Sequence, residues 1–185
     1  MSTKSIKQLD SFFQNSAEHF NRYMGNIISS KSIKETNFSG LNVVIVGLNQ
    51  MAVSQLDAIC QHAQSVKVFQ MTPAFVLPHT ERAINRLVSH PLIIKNRRLF
   101  NNRVKSLLAV RYLDSQVQDI WLKRQLTPNF ALEKKVFLKS DTYYTALQRE
   151  NCHLITWPVM KVTEQAIQSM EGSEHFADIV ITTFD

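Results

Sequence analysis

The chain has 185 residues, of which 44% are hydrophobic and 19% charged, and a formal net charge of +6. That length suits one domain with a real core, and that composition excludes a disordered chain. No apolar run approaches the roughly 18 residues that cross a bilayer, and the N-terminus has no apolar h-region, so neither a membrane span nor a secretory signal is expected.

Residues 1–38 read as a leading helical arm. Ile6, Leu9, Phe12, Phe13, Phe20 and Met24 fall mostly at helical spacing, which predicts a helix near residues 5–24. The polar stretch Ser29-Ser30-Lys31-Ser32 leads to Phe38-Ser39-Gly40, a turn before the first strand. Val43 to Val46 is a continuous β-branched run, the pattern of a parallel strand buried on both faces. Met51 to Ala63 reads as a helix with Ala52, Leu56, Ile59, Cys60 and Ala63 on one stripe. Val66 to Phe69 is a second strand. A strand–helix–strand unit of this length starts a Rossmann-like, doubly wound, mostly parallel α/β sheet, and the sequence predicts that domain over residues 39–185.

Pro73 and Pro78 frame a loop. A helical insertion is predicted over residues 79–127, interrupted at Pro91. Between residues 82 and 124 it holds ten basic and two acidic side chains, a surplus of +8 that exceeds the net charge of the whole chain. An amphipathic hairpin with a solvated basic face accounts for this pattern. A nucleic-acid or acidic-surface binder is the third functional reading of the chain. Beyond Pro128, Val136 to Leu138 reads as a strand edge and Tyr143 to Arg149 as a helical turn. His153 to Thr156 is the next strand, Val159–Val162 and Ala166–Met170 a hairpin, and Asp178 to Thr183 a last buried strand.

Cys60 and Cys152 are isolated and suit reduced thiols in a cytoplasmic protein. The six histidines are scattered and no His-x-x-x-His pair occurs, so no metal site is predicted. Neither G-x-S-x-G nor G-x-x-x-x-G-K-[ST] is present. Cys152 and His153 are adjacent, and on a strand they point to opposite faces. No catalytic residue is assigned.

The informative constellation is Leu41-Asn42-Val43-Val44-Ile45-Val46-Gly47-Leu48-Asn49-Gln50-Met51-Ala52. It has the form of a dinucleotide-binding strand–turn–helix, with the middle glycine of G-x-G-x-x-A replaced by Asn49. That glycine lets backbone approach a pyrophosphate, and a side chain there takes the ligand's space. Asn tolerates a left-handed backbone, so the turn is expected to persist while the phosphate contact fails. The chain has only four glycines, too few for two intact dinucleotide sites.

Several stretches carry a family likeness. Val68-Phe69-Gln70-Met71-Thr72-Pro73-Ala74-Phe75-Val76-Leu77-Pro78 is similar to "VFQRTPxWVLP". Leu126 to Leu147 is similar to "LTPDYPxGCKRxLxSDDYYPAL", and Ala177 to Asp185 looks like a shortened "ADVIVLATGFD". From Gly40 to Asp185 the sequence thus resembles the NADPH-binding domain of flavin-containing monooxygenases of the Baeyer–Villiger type. The resemblance implies a Rossmann-like fold, NADPH as cofactor, and a partner FAD domain whose own glycine fingerprint is not in this sequence. Relatives carry an Arg-rich insertion at the position of the basic helices without binding nucleic acid, so nucleic acid is not the expected partner. Their linker motif, F-x-G-x-x-x-H-x-x-x-W, aligns with Tyr23, Gly25, Ser29 and Ile33.

The departures bear on function. Met71 stands where the family has the arginine that pairs with the NADPH 2′-phosphate, a charge-assisted contact of roughly 1.5–3 kcal/mol. Val136 stands where the family has the arginine implicated in steadying the peroxyflavin, and a valine cannot stabilise an anion. Gly47, Asn49, Gln50, Thr72 and Lys135 remain as candidate, vestigial cofactor-binding residues. The expectation is a degenerate, non-catalytic binding or regulatory module with no cofactor. It would pair with another protein, or with itself, through the face that covers the FAD domain in relatives. The alternative is the NADP(H)-binding subunit of a split flavin-dependent oxidoreductase.

Overall fold

The computed structural model describes residues 20, 22–79, 102–129, 131 and 135–184. In chain order it begins with β1 (Asn26–Ser29), a 3-10 turn (Ser30–Glu35), β2 (Asn42–Val46), α1 (Gln50–His62), β3 (Ser65–Phe69) and β4 (Phe75–Leu77). Next come α2 (Asn102–Gln116), α3 (Ile120–Leu126), β5 (Phe137–Lys139), α4 (Tyr143–Leu147) and β6 (Cys152–Ile155). It closes with β7 (Val159–Val162), β8 (Ala166–Ser169), β9 (Glu174–Phe176) and β10 (Ile179–Thr182).

Five of these strands form one parallel sheet in the order β1-β10-β2-β3-β6. β2 and β10 lie inside it, and their β-branched runs are buried on both faces. Val43, Ile45, Val66, Val68, Ile179 and Ile181 face one side, where α1 contributes Ala52, Val53, Leu56 and Ile59. Val44, Val46, Phe69, Ile155 and Val180 face the other, which is covered by Val159, Val162 and Ile167 of the antiparallel β7-β8-β9 sheet. The Rossmann-like α/β expectation holds, and among the described residues a β-meander together with Phe20 covers that second face. A further parallel pair, β4-β5, joins the two sides of the helical insertion. α2 packs on β4, and α4 packs on α1.

Two sequence expectations need correction. The helical arm through residue 38 fails at its end. Asn26–Ser29 is an edge strand paired in parallel with β10, and Ser30–Glu35 is a 3-10 turn whose Ser30 and Ile33 are buried. The exposed Asn26 and Ile27 give β1 no hydrophobic alternation, so backbone pairing with β10 decides its state. The loop expected between Pro73 and Pro78 holds β4, because its partner β5 lies more than fifty residues on. The arm's predicted helix before Phe20, and residues 80–101 of the insertion, lie outside the described residues; α2 and α3 make up the rest of the insertion.

Candidate functional site

In this sheet the chain runs from β2 through α1 to β3 on one side, while β10 lies against β2 on the other. The reversal puts a topological switch point at the C-terminal ends of β2 and β10, where open α/β sheets hold ligands. Gly47 follows β2 and Thr183 follows β10, and both line a cavity of about 350 Å3. Leu48, Gln70, Met71, Phe75 and Phe184 form much of its wall.

Gly47 adopts φ +85°, a left-handed backbone that favours glycine. Its N–H donates to Phe69 O at 3.0 Å. A Cβ here would run into Thr183 Oγ1, whose hydroxyl donates to Val46 O at 3.1 Å. The turn therefore needs glycine on two counts, conformation and space.

Asn49 is the N-cap of α1, with φ −137° and ψ 179°. This extended backbone corrects the expectation of a left-handed residue: its side chain is kept for capping chemistry, not for backbone tolerance. Oδ1 accepts from Ala52 N at 3.0 Å, while Nδ2 donates to Ser30 Oγ at 2.8 Å and to Thr183 O at 3.1 Å. The carboxamide thus ties the 3-10 turn, the end of β10 and the start of α1 together. It also satisfies one of the helix-terminal N–H groups that a phosphate would meet. Gln50 is likewise engaged. Nε2 donates to Lys139 O at 2.7 Å, and Oε1 accepts from Lys139 N at 2.9 Å, which fastens α1 to β5.

Thr72 lies exposed on the cavity wall. Lys135 Nζ lies 5.7 Å from the centroid of the ring of Phe75, a cavity residue, in a cation–π arrangement. Met71 lines the cavity. Val136, also on the wall, is exposed, and its carbonyl accepts from Phe75 N at 3.1 Å. The structure therefore brings Gly47 and Thr72 to one cavity and Lys135 to its edge, and it places Asn49 and Gln50 in bonds that hold α1.

Sequence reasoning missed Gln70. It is 4% exposed, lines the cavity, and receives a hydrogen bond from the buried Tyr143 hydroxyl at 2.5 Å. Burial, followed by the neighbouring Tyr144 and Cys152, pushes the Tyr143 hydroxyl well above its ordinary pKa, so it stays a donor. Gln70 could have been found as the residue that follows β3 at the same sheet edge as Gly47. Tyr143 left no such signal, because it comes from a distant short helix.

Elsewhere Cys60 and Cys152 are free and buried, and His153 is exposed, as strand alternation requires. The hydrogen bond with Cys60 first, and burial second, hold the Cys152 thiol above its usual pKa. Among the described residues, no group of three His, Cys, Asp or Glu side chains converges to hold a metal ion, and no helix is long and apolar enough to cross a membrane. Within the linker alignment Tyr23 is buried, its hydroxyl donating to Ala177 O at 2.7 Å.

No protein-family model matches the chain. Among curated proteins it is 28% identical over 167 residues to a Baeyer–Villiger monooxygenase of Pseudomonas aeruginosa, covering 78% of this chain and 32% of that protein. It is 26% identical over 187 residues to the FAD-binding monooxygenase ktnD of Aspergillus niger, covering 87% of this chain and 31% of that one. Among solved structures, a steroid monooxygenase bound to NADP superposes with a TM-score of 0.71 at 17% identity, over 91% of this chain and 44% of the other. An open structure of cyclohexanone monooxygenase gives 0.69 at 15% identity, over 89% and 44%. The chain is thus similar in sequence to Baeyer–Villiger and FAD-binding monooxygenases and shares its fold with them, while spanning about a third of the length of those curated relatives.

Proposed function

We propose that this chain is a NADPH-domain relative of the flavin monooxygenases that keeps the domain's shape without its coenzyme. In this reading it works as a non-catalytic binding or regulatory module in the cytoplasm. The Asn49 carboxamide carries the proposal: it caps α1 from the position where the middle glycine would admit a diphosphate. Met71 supports it, since no guanidinium replaces the expected 2′-phosphate contact. The fit of a dinucleotide is poor on both counts. The partner face we assign to exposed apolar side chains on and around the β-meander, namely Trp157, Met160, Met170 and Phe176. Calorimetry with NADPH tests the reading: no heat of binding at millimolar ligand is expected, and micromolar affinity would overturn it.

One observation favours a second reading. Thr72 and Gly47 share the cavity, Lys135 stands at its edge, and all three occupy family positions. That set suits the NADP(H)-binding subunit of a split flavin-dependent oxidoreductase. The same titration separates the two, because a working subunit must hold the nicotinamide nucleotide.

A further inference from the structure

A pair of thiols lies at the C-terminal end of α1, away from the switch point. Cys60 sits in the last turn of α1, and Cys152 opens β6, the edge strand of the parallel sheet. More than ninety residues separate them in the chain, yet the two sulfurs share a hydrogen bond. The fold fastens the stretches that carry them. One turn before Cys60, Asp57 Oδ1 accepts from Arg149 Nε at 2.9 Å and lies 2.8 Å from Nη2. Asn151, next to Cys152, donates from Nδ2 to Cys60 O at 2.8 Å and to Ala63 O at 3.0 Å. An ion pair and a bridging amide thus hold the end of α1 against the start of β6.

The two sulfurs differ in character. The hydrogen bond from Cys152 lowers the Cys60 pKa against the cost of burial; the Arg149 guanidinium acts in the same direction and Asp57 opposes it. Cys152 moves the other way and stays a thiol. Cys60 is therefore the nucleophile, and Cys152 is the resolving thiol already in contact with it.

We propose that Cys60 and Cys152 form a reversible disulfide on exposure to a small hydroperoxide, stapling α1 to β6. The Cys60 sulfur attacks one oxygen of hydrogen peroxide. The O–O bond breaks, and the departing hydroxide leaves as water with the proton that Cys60 gave up. Cys60 is then a sulfenic acid. The Cys152 sulfur attacks it: the S–S bond forms, the S–O bond breaks, and the hydroxide takes the Cys152 proton as a second water. The two thiols lose two electrons in all, and peroxide gains them. At 3% and 5% exposure the residues admit a small oxidant in preference to a bulky disulfide.

The test starts from the full chain, reduced, freed of reductant and treated with hydrogen peroxide. Both thiols should disappear together, the mass should fall by two hydrogens, and digestion should release a Cys60–Cys152 linked peptide. Dithiothreitol should restore both thiols. The oxidised chain should melt about 5 °C or more above the reduced one, because the bond closes a long loop. Cys152→Ser should leave a Cys60 sulfenic acid that dimedone labels, and Cys60→Ser should leave Cys152 unlabelled. The mass and the digest need no variant, so they decide the matter even where a serine variant fails to fold. Two intact thiols after peroxide, sulfinic acid without a cross-link, links only between chains, or an oxidised chain that melts no higher would each overturn the proposal.

Discussion

Four positions carry consequences at the scale of the single residue. Asn49→Ala removes an N-cap bond and two tethers, and should cost about 1–2 kcal/mol, seen as a lower urea midpoint with unchanged slope. Gly47→Ala adds a Cβ against Thr183 Oγ1 at a left-handed backbone, and a loss of about 1–3 kcal/mol is expected in the same assay. The combination of Asn49→Gly with Met71→Arg should raise NADPH affinity at least about tenfold by calorimetry, since it reopens the phosphate space and returns a cation. His175 gives the pH dependence. Its ring lies edge-on to Phe69 at 5.2 Å, with Nε2 buried and without a hydrogen-bond partner among the described residues. Burial first, and the nearby Lys67 second, depress its pKa, against a smaller opposing pull from Glu171. The folded state then binds fewer protons than the unfolded one. Stability is full above the ordinary histidine pKa of about 6.5 and falls as the pH drops below it. Melting temperatures at pH 7.5 and pH 5 should differ, and His175→Phe should narrow the gap.

At the scale of the element, the Gln50 bridge links α1 to β5 through both backbone groups of Lys139. Gln50→Ala should leave the main sheet intact and speed amide hydrogen exchange at Lys139, a local opening that global unfolding would not report. The elements most legible in the sequence were those whose burial pattern is local. β2 read as a β-branched run, α1 as a stripe, and β10 as a final apolar strand. β1 and β4 were not legible, because their pairing partners, β10 and β5, come from far along the chain. β9 escaped for a related reason: Glu174, His175 and Phe176 carry no apolar alternation, and antiparallel pairing with β8 defines the strand. The site divides the same way. Gly47 and Asn49 stood out through spacing, whereas the assignment of Asn49 to structural bonds required Ser30 and Thr183, which only the fold brings close.

At the scale of the whole molecule, the described residues dress the two faces of the parallel sheet unequally, helices on one and chiefly a β-meander on the other. The meander's surroundings expose Trp157, Met160, Met170 and Phe176. If this surface meets another copy, light scattering should show mass rising with concentration, and Met160→Lys with Phe176→Lys should hold the chain monomeric. A clean monomer of the unmodified protein at high concentration would count against self-association and leave a different protein as the partner. The Asn49 cap has one more consequence, in the economy of the cell. Ordinary coenzyme domains gain stability from their ligand by mass action, so their survival tracks its supply. On the proposed reading, a helix mouth closed by its own side chain breaks that linkage: the half-life of this protein should then be indifferent to the nicotinamide nucleotide pool.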